Sequence, residues 1–191
     1  MNYLFFDTET TGKPKRYGAK MTDLDNWPRI SQIAWVLYEG ETLIDSHATL
    51  IKPDGWKIPK EQFFIDNNMS TERCELEGVK LETVLDKFIT HAQKSDYLVA
   101  HNINFDYNVL GAEMIRYNKK VGKTMQQICT MNSSTDFCKL PGPYGYKWPK
   151  LEELHQILFN CDFDGAHDAL TDVITTAKCF FELKRLGIIS L

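Results

Sequence analysis

The chain has 191 residues, of which 43% are hydrophobic and 25% charged. This is ordinary globular usage, with enough apolar side chain for one sizeable core, and it excludes wholesale disorder. No apolar run approaches the ~20 residues of a membrane span, and a formal net charge of −4 excludes a surface dominated by basic tails.

In chain order, Tyr3–Asp7 is an apolar run ending in an acid and predicts a buried strand. A long loop follows, marked by Gly12, Pro14, Gly18 and Pro28. Ile30–Tyr38 and Thr42–Ile51 read as two strands joined by a hairpin turn at Glu39-Gly40. Residues 53–80 read as irregular, with a short helix near Glu61–Asn67. Leu81, Val84, Leu85, Phe88 and Ile89 recur at helical spacing and predict an amphipathic helix over 81–93. Tyr97–Ala100 predicts a short strand, Phe105–Asn118 a helix, and Gln127–Cys129 another strand-like piece. After the Pro/Gly/aromatic loop LPGPYGYKWP, Leu151, Leu154, Ile157 and Leu158 mark a short helix. The final helix runs from about Ala169 past Phe181, with Gly187 as its stop. Strands interleaved with helices, and one early hairpin, predict a single α/β domain over 1–191 with a mixed sheet.

Cys74, Cys129, Cys138, Cys161 and Cys179 are scattered, odd in number and without a CxxC pair, so reduced thiols are expected rather than a zinc or disulfide framework. The N-terminus MNYLFFDTETTG lacks the basic segment of a secretory signal. Both features lead to an expected cytoplasmic location, without a membrane partner. The basic residues are unevenly spread: segments 10–22, 115–135 and 139–150 hold 11 of the 22 Lys and Arg and no acid. Three basic segments on an acidic body would suit a polyanion gripped along one groove, although each run taken alone also reads as a solvated loop.

Three short motifs carry the chemistry. In Asp7-Thr8-Glu9, residues i and i+2 of a strand share a face, so both carboxylates project together. Such a pair at the end of an apolar strand is costly unless a cation sits between them, and oxygen-only ligands suit Mg²⁺ or Mn²⁺; the bland alternative is two surface acids in a turn. In His101-Asn102-Ile103-Asn104-Phe105-Asp106, Asn102 or Asn104 is expected to cap the next helix, leaving Asp106 in its first turn, where the dipole favours a carboxylate. In His167-Asp168-Ala169-Leu170-Thr171-Asp172, five helical residues would turn ~140°. His167 is therefore expected in the preceding loop, with Asp172 on the helix and both reaching one cleft. His47, His91 and His155 stand outside any motif and read as structural.

Taken together and in order, Asp7, Glu9, Asp106, His167 and Asp172 resemble the DEDDh family of 3′→5′ exonucleases, through FFDTETTG, HNINFD and HDALTD. The likeness covers essentially the whole chain and is strongest to the epsilon-type proofreading exonuclease of bacterial replicative DNA polymerase and its stand-alone relatives. It implies an RNase H-like three-layer fold with a mixed central sheet flanked by helices. It further implies that Asp7, Glu9, Asp106 and Asp172 hold two Mg²⁺ or Mn²⁺ ions and that His167 is the general base. Thr10, Thr11, Gly12, Asn102 and Phe105 would face the terminal nucleotide, Phe105 either stacking on the base or anchoring its helix in the core. The implied partner is a nucleic-acid 3′ end, single-stranded DNA first, with nucleoside 5′-monophosphates released.

No tail is expected after the last helix, so the expectation is either a free exonuclease or a polymerase partner that binds the folded domain itself. Two positions depart from the family pattern: Asn67-Asn68-Met69-Ser70 stands where relatives carry a His-Gly-Ile-Thr-like segment, and Thr130 where they carry an Asp. The rival within the class is an RNA-trimming relative of the RNase T or oligoribonuclease kind. A phosphatase with an aspartate nucleophile would explain DxExT but gives His167 no role. A nucleic-acid-binding module on a dead nuclease fold would not keep all five positions.

Overall fold

Strand β1, Asn2–Thr10, runs through the middle of the molecule. Tyr3, Leu4, Phe5 and Phe6 are all buried, which is why the strand reads as a continuous apolar run rather than an alternation: both of its faces are covered. The computed structural model describes residues 1–163 and 168–191.

β2, Ile30–Glu39, and β3, Thr42–Leu50, lie antiparallel on one side of β1, joined through the expected turn, where Gly40 takes a φ of +59°. β4, Tyr97–Ala100, and β5, Gln126–Cys129, lie parallel on the other side, giving the order β3-β2-β1-β4-β5. The sheet is mixed and flanked by helices, as expected. Helices α1, Gln62–Asp66, and α2, Thr71–Glu77, precede α3, Leu81–Lys94. α3 covers one face together with α4, Ile103–Arg116, burying Leu4, Phe6, Trp35, Phe88 and Val109 in one cluster. α5, Thr130–Cys138, and α6, Leu151–Phe159, lead to α7, Ala169–Arg185. α7 covers the opposite face, packing Val173 and Phe180 against Tyr3 and Phe5. Between α5 and α6 a small hairpin pairs β6, Pro141–Gly142, with β7, Gly145–Tyr146. No described helix is long and apolar enough to cross a membrane, and all five cysteines are free.

Several details differ from the sequence expectations. β1 extends three residues beyond Asp7, because Thr8 and Glu9 continue the pairing with Ile33 and Gln32. α4 begins two residues early, at Ile103, whose side chain is drawn into the core. Asn102 precedes it in the left-handed region (φ +66°) without a side-chain cap bond, and Asn104 Oδ1 instead accepts from Asn108 Nδ2. The expected capping role of either asparagine is thus not found; Asn102 supplies a turn conformation that asparagine tolerates. α2 and α5 lie where no helix was expected. In α5 the polar side chains satisfy themselves on the helix, Ser134 Oγ donating to Thr130 O (2.7 Å) and Thr135 Oγ1 to Met131 O (2.9 Å), so no amphipathic period announces it. His91 and His155 are structural as expected: His91 Nδ1 accepts from Trp35 Nε1 at 2.7 Å, and His155 packs on Phe159.

A buried charge cluster ties α4 to the chain entering β2. Glu113 is 0% exposed; its carboxylate accepts from Arg29 Nε (2.7 Å) and Ile30 N (3.2 Å) and lies 3.2 Å from Arg116. Arg29 in turn exchanges bonds with Thr11, through Thr11 N to Arg29 O (2.9 Å) and Arg29 N to Thr11 Oγ1 (3.1 Å). Removing the carboxylate strands two guanidinium groups. Glu113→Ala is expected to cost about 3–5 kcal/mol, the usual penalty for breaking a buried ion pair from one side, read as a lower urea midpoint with an unchanged m-value. A loss below ~1 kcal/mol would show that water reaches the cluster.

Candidate active site

The alternation of β1 sends Leu4, Phe6, Thr8 and Thr10 toward α3 and α4, and Tyr3, Phe5, Asp7 and Glu9 toward α7. Where the strand outruns its apolar cover, the α7 face therefore ends in two carboxylates. Asp172 lies in the first turn of α7, and carboxylate oxygens of Asp7, Glu9 and Asp172 fall within 4.8 Å of one another.

Asp106 comes from the first turn of α4 and is buried. Its Oδ1 accepts from Thr8 N at 3.0 Å and Thr8 Oγ1 at 2.7 Å, so Thr8, between the two acids, locks α4 onto the strand that carries them. Asp168, the N-cap of α7, accepts from Thr171 N (3.1 Å) and from Gln32 Nε2 (3.3 Å), holding α7 to the β2 residue that pairs with Glu9. The sequence reading missed Gln32 and, although Thr8 and Asp168 lie within its motifs, the positioning roles of both. A serine, threonine or aspartate before an apolar helical run is a legible cap, but nothing in the sequence pairs Thr8 with Asp106.

Crowding shows in the protonation equilibria. Burial pushes the Asp7 carboxyl well above the usual range, and Asp106, Glu9, Asp172 and Asp168 add repulsion. Glu9 is pushed up to about 7 by burial and then by Asp172, Asp106 and Asp168. Asp106 is held at about 7 by burial, against the opposing pull of its bonds from Thr8. Among the described residues no Lys or Arg forms an ion pair with Asp7, Glu9 or Asp106. The donor set offers only oxygen, which fits hard divalent cations.

The segment beyond Glu9 lines the same end of the sheet. Thr10 Oγ1 donates to Gly12 O (2.7 Å), Thr11 is bonded to Arg29, and Gly12 takes a φ of +150° with open space where a Cβ would stand. Asn102 is exposed, and Phe105 is half-buried against the α3–α4 core, an arrangement between the two expected roles. Thr130 is buried and bonded to His101 Nδ1 (3.0 Å). Ser70 of the other departing segment caps α2 through Arg73 N (3.1 Å). His167 lies outside the described residues.

The basic segments do not converge as one groove would require. In the middle run, Arg116 is bonded to Trp27 O (2.9 Å), Lys119 to Asp86 (2.7 Å) and Lys123 to Ser95 O (2.6 Å). Ser95 precedes β4, at the end of the sheet opposite Glu9, so these cations hold the body together. Lys13, Lys15 and Lys20, just beyond Gly12, and Lys139 and Lys150, beside the β6–β7 hairpin, remain exposed.

With no ion bound, the raised carboxyls set the sign of the pH response. Between pH ~4 and ~7 the native state holds protons that the unfolded chain has released, so stability falls as pH rises through that window. Asp7→Asn removes a charge from the cluster. It is expected to stabilise the protein in EDTA at pH 8 by about 1–2 kcal/mol, discounted for the open cleft, or ~2–8 °C in Tm. By circular dichroism the difference should vanish near pH 4; a gap that persists there would refute the repulsion.

Residues 4–180 match the model of the RNase_T exonuclease family. No curated protein matches the sequence. Among solved structures the chain is similar to E. coli Exonuclease I with a dA16 oligonucleotide (17% identity, TM-score 0.73, covering 96% of this chain and 41% of that one). It is similar also to the same E. coli enzyme with a dT13 oligonucleotide (16%, 0.73, 97% and 42%) and to the zinc-bound E. coli ExoI–ssDNA complex (17%, 0.73, 96% and 40%). The likeness is one of fold, and the chain spans about two fifths of the length of those structures.

Proposed function

This chain belongs to the RNase_T exonuclease family, and from that premise we propose that it is a metal-dependent 3′→5′ exonuclease of the DEDDh type. Its 191 residues would form one exonuclease domain that shortens DNA from its 3′ end and releases nucleoside 5′-monophosphates. The observation that carries the reading is the meeting of Asp7, Glu9 and Asp172 within 4.8 Å, with Asp106 locked to the same strand through Thr8.

In this reading Asp7, Glu9, Asp106 and Asp172 hold two Mg²⁺ or Mn²⁺ ions. When bound, the ions supply Lewis acidity toward the attacking water and the leaving 3′-oxygen. Four carboxylates offset the four charges of two such ions, so the phosphodiester enters a site that does not repel it. His167 takes the proton from water, a task matched to an ordinary imidazole pKa. Thr10, Thr11 and Gly12, held by the Arg29–Glu113 cluster, lie against the terminal nucleotide, with Asn102 and Phe105 opposite. The E. coli Exonuclease I complexes with dA16 and dT13 favour single-stranded DNA as substrate. The epsilon-type likeness, with its polymerase partner, rests on the motifs alone.

The test is hydrolysis of a 5′-labelled oligonucleotide with Mg²⁺ and with EDTA. Successively shortened labelled products are expected with metal and none in EDTA, whereas immediate release of a labelled mononucleotide would reverse the direction. Running single-stranded DNA, mismatched duplex and RNA under the same conditions decides between proofreading and RNA trimming. Asp7→Ala should abolish turnover while the protein stays folded. His167→Ala should cost ~10²–10⁴-fold in kcat with little change in KM, and the wild-type rate should rise with pH through the imidazole pKa. A His167→Ala enzyme with full kcat would remove the base from the mechanism.

A further inference from the structure

The β6–β7 hairpin leaves three large aromatic side chains in water within five residues: Tyr144 is 102% exposed, Trp148 68% and Tyr146 52%. Other large apolar side chains are exposed elsewhere, but here three aromatic rings cluster within five residues, and clustered patches mark binding faces. The hairpin is also preformed. Pro141 pairs with Tyr146 and Gly142 with Gly145, and Lys147 N donates to Leu140 O at 2.9 Å. A Cβ on Gly142 would come within 3.0 Å of Lys147 N, and Gly145 takes a φ of +126°, so the sequence is committed to a tight turn that holds the rings outward.

Its base is fixed beside the candidate active site. Pro149 O lies 3.0 Å from His101 Nε2, and His101 Nδ1 is bonded to Thr130 at the start of α5. His101 adjoins Asn102 and stands five residues before Asp106. Burial lowers the pKa of His101, consistent with a packed anchor. Tyr144 lies five residues from Pro149, a reach of at most ~18 Å, or about five nucleotides at 3.4 Å spacing. Lys139 and Lys150 flank the hairpin and are exposed, and residues 139–150 contain no acid.

Lys147, between Tyr146 and Trp148, is paired with Glu153, but planar rings flanked by the exposed Lys139 and Lys150 beside a phosphodiester-cutting site match the chemistry of single-stranded nucleic acid: stacked bases on a charged backbone. We infer that the β6–β7 hairpin is a stacking platform, with Tyr144, Tyr146 and Trp148 gripping the bases a few nucleotides upstream of the 3′ end while Lys139 and Lys150 meet their phosphates. The inference rests on the proposed exonuclease reading and extends it from the terminal nucleotide to the strand behind it. The rings recognise a feature common to DNA and RNA bases.

The test compares the wild type with the triple variant Tyr144→Ser, Tyr146→Ser, Trp148→Ser. The substrates are the p-nitrophenyl ester of thymidine 5′-monophosphate, which has no upstream base, and dT and rU oligonucleotides of two to twelve residues. In the wild type, KM should fall with length up to about six nucleotides. The triple variant should keep the ester rate and lose the length dependence, raising KM on twelve-mers about 10- to 100-fold, with the salt slope unchanged because no charge is removed. Lys139→Gln and Lys150→Gln should each reduce that slope by ~0.7. Tyr144→Phe with Tyr146→Phe should restore affinity, because the faces remain. Loss confined to dT or to rU identifies the strand that the platform serves.

An ester-active triple variant with wild-type KM on every length overturns the hairpin inference alone. So does binding of the hairpin to phosphatidylserine vesicles with oligonucleotide KM unaltered. A wild type that hydrolyses neither ester nor oligonucleotides overturns the exonuclease reading, and the hairpin inference falls with it.

Discussion

Asp7 and Glu9 stand at the end of a strand whose neighbours are apolar on both faces, with no lysine or arginine paired to them among the described residues. Placing like charges there is unfavourable, and the surrounding architecture is arranged around that cost. The helices that deliver the other two carboxylates, α4 and α7, begin at this end of the sheet and present Asp106 and Asp172 in their first turns. The positive end of each helix dipole partly offsets the repulsion there. The residual repulsion is what divalent cations would relieve under the proposed function, so the feature that costs stability is the one that would drive metal binding.

The rigidity of the site comes from short polar contacts made across the sheet rather than from the carboxylates. Thr8 ties Asp106 to β1, Gln32 ties Asp168 to β2, and Glu113 gathers Arg29 and Arg116 so that the segment bearing Thr11 cannot drift from α4. Each contact joins residues far apart in sequence and fixes one boundary of the cleft. His101 performs the same service on the other side, bracing both α5 and the chain after the hairpin. A domain of marginal stability can tolerate a repulsive centre only if its rim is held this firmly.

Charge is divided between these two purposes. Arg116, Lys119 and Lys123 are spent on carbonyls and carboxylates of the body and Lys147 on Glu153, while Lys13 and Lys15, beyond Gly12, and Lys139 and Lys150, beside the hairpin, stay in solvent. A negatively charged protein can therefore present local positive potential where a polyanion would approach, without a basic surface overall.

By itself the sequence determined the five strands of the main sheet, though not the β6–β7 hairpin, which read as a loop, together with the mixed α/β architecture, the amphipathic α3 and the shared face of Asp7 and Glu9. Those properties follow from local pattern: a continuous apolar run ending in acids two residues apart in β1, and 3.6-residue spacing in Leu81, Val84, Leu85 and Phe88. Ordered spacing also brought Asp106 and Asp172 into the candidate set. Only the tertiary structure decided that Asp172 reaches Asp7 and Glu9, that Thr8 holds Asp106, and that the basic run at 115–123 belongs to the body rather than to a groove. The start of α4 at Ile103 and the existence of α5 were settled the same way, by burial of Ile103, Thr130 and Ser134. Partners separated by tens of residues meet because the sheet order places β1 between β2 and β4. That order is set by the packing of two faces at once, which no local window of sequence contains.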